Sequence, residues 1–512
     1  MKSLFKTVAL ITVFSFLTRI CGFLFRIILS HTVGGEGVGL YQVAFSVFMV
    51  LLTIISSGIP LIVSRMSAKF SVQNERKKEA SLVATSLIFT LAISMLLCLV
   101  VILFKNVFAK LFTDRRCIEV LIVLLPSLVF SSAYIVCRGA LWGRGNYFAL
   151  CITEFYEQLV RIVLGVLFIS SSLSAIENAF NLGWTMSLAC LFSMTLVIVL
   201  FFYYGGKFAR PNKEQFFTLV KDSSPVTLMR TLGSFIQPLI GIIVPFRLMA
   251  IGYTKSQAMN LFGVAIGMTL PLLYVPVSII GSLSTALLPD ISKAMTENNQ
   301  KHIEERITNS IFFSLLISSV FIPVYLGMGE LAGEFLYGNT LSGTLLASSV
   351  WVLLPIGITN ITSGLLNSLG LEHKSFVNFL IGGVCLFICL WFFPAIMGAN
   401  SLIFALGVNY LVTAVLNLWL LKRKTKLQFK IMPSVLKILL LCIPSSALTS
   451  FVVSLCEYVF PAFITLVVGG IVAVGSFILL AGAFGMINLK STLMFVKNKI
   501  KLPKKKKVSA GA

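Results

Sequence analysis

Stretches of about 20 mainly apolar residues recur fourteen times along this chain, each long enough to cross a hydrocarbon core of roughly 30 Å as a helix. Nothing in that core can hydrogen-bond a free backbone group, so segments of this kind close their own bonds as helices. The windows fall near residues 7–30, 39–64, 81–104, 119–141, 149–171, 181–204, 224–246, 260–288, 308–328, 343–368, 376–396, 400–421, 434–456 and 461–486. The sequence therefore reads as an all-α polytopic membrane protein with about 14 transmembrane helices. Its mean hydropathy of +0.98, with 57% hydrophobic and only 12% charged residues among 512, lies outside the soluble range.

The opening Met1-Lys2-Ser3-Leu4-Phe5-Lys6 leads into an apolar run that resembles a signal peptide, but Arg19 interrupts the run and no small-residue cleavage site follows. A retained first span is expected. Ten cysteines lie mostly inside spans, and Cys385 and Cys389 have no second pair to complete a zinc site, so packing roles are expected.

Loops are short, and no segment is long enough for a separate soluble domain. A weak repeat divides the chain. Leu124-Leu125-Pro126 precedes Arg138 as Leu353-Leu354-Pro355 precedes Asn367, with twelve positions from proline to polar residue in each case. An even number of spans separates the two copies, so an axis along the membrane normal would relate them. The expected organisation is two six-helix lobes around a central cavity, residues 1–223 and 224–425, then two extra helices within 426–489 and a basic cytoplasmic tail over 490–512.

The net charge of +23 follows membrane topology. With the N-terminus inside, thirty of the 41 lysines and arginines fall in cytoplasmic segments and six outside: Lys105, Lys110, Arg115, Arg116, Arg247 and Lys255. That asymmetry predicts both termini in the cytoplasm and makes a nucleic-acid partner unnecessary. The Lys105 to Arg116 loop resists the rule, with Asp114 and Glu119 as partial balance.

Two charges sit where a spanning helix should carry none. Arg19 and Arg26 share a face with Ser15, Gly22 and Ser30 in the first span. Each arginine costs roughly 2.5–3.5 kcal/mol at the bilayer centre, so the pair costs about 5–7 kcal/mol unless offset. A planar guanidinium fork matches phosphate oxygens, which points to a water-accessible cavity that grips an anion. The competing reading makes Arg26 snorkel to headgroups and pairs Arg19 with a carboxylate. Span 5 supplies carboxylates in Glu154 and Glu157, with Arg161 four residues after Glu157. Arg230 in span 7 brings the sum to four arginines against two glutamates, about +2.

Prolines are expected to kink the helices around the cavity: Pro60 in span 2, Pro238 and Pro245 in span 7, and Pro271 and Pro276 in span 8. The run Gly34-Gly35-Glu36-Gly37-Val38-Gly39 lacks the Lys-Ser/Thr end of a phosphate loop and reads as a tight extracellular turn. His31, His302 and His373 lie apart in expected loops, and no triad or metal spacing appears. Neither an enzyme nor a cofactor is expected.

The segment from Leu17-Thr18-Arg19-Ile20-Cys21-Gly22-Phe23 through Arg26 to Val33-Gly34-Gly35-Glu36-Gly37-Val38-Gly39-Leu40-Tyr41-Gln42 resembles the stage V sporulation protein B group of the polysaccharide transporter family. Ser57-Gly58-Ile59-Pro60 with Ser64-Arg65, Glu157-Gln158 to Arg161, Pro225 to Arg230, and Leu288-Pro289-Asp290-Ile291-Ser292 support it. The resemblance implies the multidrug/oligosaccharidyl-lipid/polysaccharide exporter superfamily and a relation to MurJ-type lipid II flippases. It carries pyrophosphate binding onto Arg19, Arg26 and Arg65. Substrate contact is thus expected at Arg19, Arg26, Arg65, Glu154, Glu157, Arg161 and Arg230. The implied activity is transfer of an undecaprenyl-pyrophosphate-linked peptidoglycan precursor across the plasma membrane by alternating access, for spore cortex or cell wall. Its partners would be that lipid-linked oligosaccharide pyrophosphate, membrane lipids and peptidoglycan synthases. Some relatives carry a sodium site built with acidic residues, whereas spans 11 and 12 offer only Asn378, Asn400, Asn409 and Asn417, so membrane potential is the simpler drive. Two alternatives stay open: a cation-coupled multidrug exporter of the superfamily, which would want a buried carboxylate, and a non-transporting scaffold of a wall-synthesis complex.

Overall fold

A computed structural model of the protein describes residues 2–282, 300–425 and 431–486, so the Leu288 to Ser292 motif and the Lys490 to Lys507 tail lie outside the described residues. Every regular element among the described residues is a helix. The first eleven are α1 (Lys2–Ser56), α2 (Ile59–Val72), α3 (Arg76–Leu103), α4 (Lys105–Leu111), α5 (Arg116–Gly143), α6 (Tyr147–Phe168), α7 (Ala175–Tyr203), α8 (Lys213–Ser234), α9 (Ile236–Ala250), α10 (Lys255–Gly263) and α11 (Leu270–Leu273).

Among the described residues twelve helices are long and apolar enough to cross a membrane, which makes this a multi-pass membrane protein, against an expected count of about fourteen. Two places account for the difference. The segment Leu10–Val72 counts once although it contains the first two expected spans. Helix α6 matches the fifth expected span but is excluded by its three charges, Glu154, Glu157 and Arg161.

The glycine-rich run is not the expected turn. Only Gly34 leaves helical geometry, at φ 70° and ψ 174°, and the helix resumes at once through Gly35, Gly37 and Gly39. These glycines instead permit contact with α10, because a Cβ on Gly39 would fall on the Met259 carbonyl oxygen. The three histidines likewise sit in helices, and His31 Nε2 lies 3.1 Å from the Leu336 carbonyl oxygen.

Irregular backbone falls near Pro60, Pro238, Pro271 and Pro276, whereas Pro245, also expected to kink its helix, lies inside unbroken α9. Ser57 and Gly58 separate α1 from α2, with Pro60 in the first turn of α2, where a missing N–H costs nothing. Span 7 divides at Phe235, three residues before Pro238. Span 8 widens into a π-helical stretch over Val264–Thr269 just before Pro271 and turns again at Tyr274 before Pro276. The proline echo fails locally, since Pro126 lies ten residues inside α5 whereas Pro355 is in the first turn of its helix, Leu353–Ser368. Helix starts follow side-chain chemistry. Ser174 and Glu177 form a reciprocal capping box on α7, as Thr254 and Gln257 do on α10.

The chain divides into two compact units. The first comprises Met1–Leu272, Leu336–Leu345 and Leu380–Asn409. At its centre α5 packs on α1, α2, α3 and α7, burying Ile59, Val63, Val136, Cys137, Leu141 and Phe201. Two of the cations expected outside are engaged there. Arg116 bridges Asp114 and Glu36, both at 2.7 Å, and the Arg247 guanidinium lies 4.9 Å from the centre of the Trp391 ring. The second unit comprises Leu273–Phe335, Leu346–Phe379 and Tyr410–Ala512. Among its described residues the buried polar groups are neutral. The Asn378 amide donates to Asn417 at 2.9 Å, Asn417 donates to Thr362 and Ser363, and the Tyr274 and Tyr410 hydroxyls lie 2.8 Å apart.

Candidate functional site

All seven expected substrate residues belong to the first unit. The half of α1 before Gly34 lies along α6. Phe14 meets Phe148 and Phe155 edge-on with ring centres 6.2 and 5.9 Å apart, Gly22 faces the Gln158 amide, and the Phe25 ring occupies the space beside Gly165. This packing covers Gly22 and leaves Arg19 and Arg26 exposed at the margin of the contact. Ser30, at the end of the same stripe, is buried and donates to the Ile27 carbonyl. A continuous polar face therefore becomes two exposed guanidinium groups beside a sealed helix pair.

The carboxylates of α6 are already committed. Arg161 Nη2 donates to Glu157 Oε1 at 2.5 Å across one helical turn, with both side chains about three-quarters buried. Glu154 pairs with Arg138 of α5 at 3.1 Å. Neither glutamate neutralises the first-span arginines, and no carboxylate among the described residues lies within 4.0 Å of Arg19, Arg26, Arg65 or Arg230.

Arg138 has a partner that the sequence did not reveal. The residue lies within α5, over the Tyr134 ring at 5.7 Å as well as against Glu154. Its position twelve residues after Pro126, inside an apolar window, was the available signal.

Around this pair the unit assembles a connected polar patch. Tyr41, just past the Gly34 kink, is within electrostatic reach of both Arg26 and Arg161, and Tyr337 is within reach of Arg26. Two groups there keep unused hydrogen-bonding capacity: buried Arg161 Nε and the hydroxyl of buried Tyr337 have no partner among the described residues. Three arginines, Arg26, Arg138 and Arg161, face two glutamates, so the patch is cationic before Arg19 is added. Exposed Arg65 on α2 and Arg230 on α8 have no hydrogen bond or ion pair to it among the described residues. Helix α8 does meet the start of α2, where Thr227 accepts from the Gly58 backbone at 3.2 Å.

A second ionic centre was not foreseen. Glu79 of α3 is almost fully buried and accepts from Arg144 Nε at 2.6 Å and from Ser67 at 2.9 Å. Arg144 also donates to the Tyr204 carbonyl and lies over the Phe201 ring. It ties α2, α3, α5 and α7 together without an open face.

Residues 4–295 match the family described as "Polysaccharide biosynthesis protein", which is more than half of the chain. The chain belongs to that family. Stage V sporulation protein B of Bacillus subtilis (strain 168) is 26% identical over 381 residues, covering 72% of this chain and 73% of the relative. Lipid II flippase MurJ of the same organism is 21% identical over 506 residues, covering 91% and 90%. The fold matches a structure of lipid II flippase MurJ in an inward closed conformation with TM-score 0.70 at 16% identity, covering 93% of this chain and 98% of that one. This polysaccharide biosynthesis family member therefore has a MurJ-like fold, and its cationic patch lies within the stretch that defines the family.

Proposed function

We propose that the protein is a flippase for an undecaprenyl-pyrophosphate-linked peptidoglycan precursor, working in the plasma membrane with both termini cytoplasmic and without catalysing a covalent step. The observation that carries this reading is the pair Arg19 and Arg26, exposed on a membrane helix and without a carboxylate partner among the described residues, while Glu154 and Glu157 are taken by Arg138 and Arg161. Unpartnered guanidinium groups in a low-dielectric setting call for an anion. A pyrophosphate presents the oxygens that a guanidinium fork binds in pairs. Arg161 Nε and the Tyr337 hydroxyl offer further donors. The prenyl chain would stay in lipid while the headgroup moves by alternating access. The similarity to stage V sporulation protein B and to a lipid II flippase supports this cargo and a role in spore cortex or wall synthesis, with peptidoglycan synthases as its neighbours.

The test is exposure of the precursor at the outer surface of cells or vesicles. Arg19→Ala and Arg26→Ala, at wild-type membrane abundance, are expected to lower it at least tenfold, as loss of one charge-assisted contact implies. Arg26→Lys should retain part of the activity, because it keeps the charge and loses the fork. Unchanged export in both alanine variants would refute the proposal.

A further inference from the structure

The connection after α3, whose positive charges resist the topology rule, borders a groove that the transport reading does not use. This groove, of about 660 Å³, lies among α3, α5 and α7, with walls formed by Ile102, Pro126, Phe180 and Trp184. Its only charged lining residues are Lys105 and Glu119. Lys105 opens α4, and Glu119 lies in the first turn of α5, where a carboxylate also suits the helix dipole. Both side chains are exposed, and no ion pair joins them.

Helix α4 shows what medium surrounds this mouth. Phe104, Val107 and Leu111 are each more than half exposed, and Lys105 and Lys110 accompany them. Apolar side chains exposed beside lysines, at the end of a membrane helix, suit the headgroup boundary rather than water or the hydrocarbon centre. The groove thus runs from a boundary carrying one cation and one anion into an apolar trough.

We propose that the groove is a binding site for a zwitterionic glycerophospholipid of the leaflet facing α4, with Lys105 on its phosphate, Glu119 on its ammonium and an acyl chain in the trough. Charge complementarity selects this occupant. An anionic phospholipid would satisfy Lys105 and be repelled by Glu119, whereas a phosphoethanolamine headgroup presents both signs. A lipid held there would pack against α3, α5 and α7, the helices that carry Glu79, Arg138 and Arg144 and so support the arginine patch.

Native mass spectrometry of the delipidated full-length protein, titrated with phosphatidylethanolamine or phosphatidylglycerol, tests the assignment. Wild type should retain one phosphatidylethanolamine about tenfold more tightly than phosphatidylglycerol, the worth of one charge-assisted contact. Lys105→Gln should weaken both lipids about tenfold, and Glu119→Gln should weaken only phosphatidylethanolamine and so erase the preference. Both positions are exposed, so these variants leave the packed core intact. Val129 also lines the trough, and Val129→Trp, which fills it, should abolish retention of either lipid while the protein still elutes as a folded species. Equal retention of the two lipids by wild type would overturn the proposal, as would phosphatidylethanolamine binding that ignores both charge substitutions. Stoichiometric displacement by a polyprenyl pyrophosphate would also overturn it, by assigning the trough to the transported lipid.

Discussion

At the scale of single residues, the first unit shows how charge is tolerated inside a membrane protein. Arg144 and Glu79 are 14% and 4% exposed, and each has a second hydrogen-bond partner, so neither charge is left bare. Removing one member strands the other. Arg144→Ala should destabilise the protein by about 3–5 kcal/mol because it leaves a buried carboxylate with only Ser67. The Glu79→Gln, Arg144→Gln double variant should lose less than Arg144→Ala, and a double-mutant cycle on thermal unfolding in detergent checks this. Equal losses would mean that the pair contributes through packing alone. Sequence and structure agree on the Glu157–Arg161 pair for a local reason: a four-residue spacing on a helix fixes the contact whatever the tertiary fold. Glu154–Arg138 and Glu79–Arg144 join different helices, and no spacing within one helix encodes that meeting. The sequence therefore marked which residues were charged and misassigned how Glu154 is neutralised.

At the scale of elements, glycine shows why one motif was misread. Gly-Gly-Glu-Gly-Val-Gly suits a turn by composition, but Gly34 alone adopts a positive φ, while Gly39 and Gly263 serve a close crossing of α1 and α10. A Cβ on Gly39 would strike the Met259 carbonyl, and one on Gly263 would strike the Gly35 carbonyl. Gly39→Ala and Gly263→Ala should therefore each cost about 1–3 kcal/mol, the range for forcing extra volume into a packed contact. Gly475 provides the opposite case. It lies inside the helix Ala462–Ala483 with no atom within 4 Å of an added Cβ, so Gly475→Ala should stabilise by roughly 0.5–1 kcal/mol through helix propensity. Unfolding midpoints of the three variants decide the matter, and a uniform sign would contradict it. Proline was a better guide than glycine where its missing N–H fell beside a break, although Pro245 and Pro126 lie inside continuous α9 and α5. The breaks at Ser57–Gly58, Phe235 and Tyr274 accordingly fall next to Pro60, Pro238 and Pro276.

At the scale of the whole molecule, hydropathy made the spans legible because the membrane imposes length and apolarity on each helix separately. The same independence explains why the two windows of the proline echo share residues without sharing a position for proline in the helix. Charge is distributed unequally between the compact units. The arginine patch belongs to the first, whereas the described polar network of the second is built from Asn378, Asn417, Thr362 and Ser363, which satisfy one another. No Asp or Glu occurs between residues 376 and 421. Cation coupling in that region would have to rely on neutral oxygens already engaged in hydrogen bonds. An anionic cargo has another source of work. With the cytoplasm negative, moving one negative charge outward across the full potential releases about 2.3 kcal/mol per 100 mV, and a doubly ionised pyrophosphate releases about twice that. Outward transfer of the proposed substrate in energised vesicles should therefore slow at least tenfold when valinomycin and equal potassium clamp the potential to zero. Replacement of sodium by choline should leave the rate unchanged. The opposite pattern, indifference to valinomycin and dependence on sodium, would place the drive in a cation site and remove the role assigned to the charge of the headgroup.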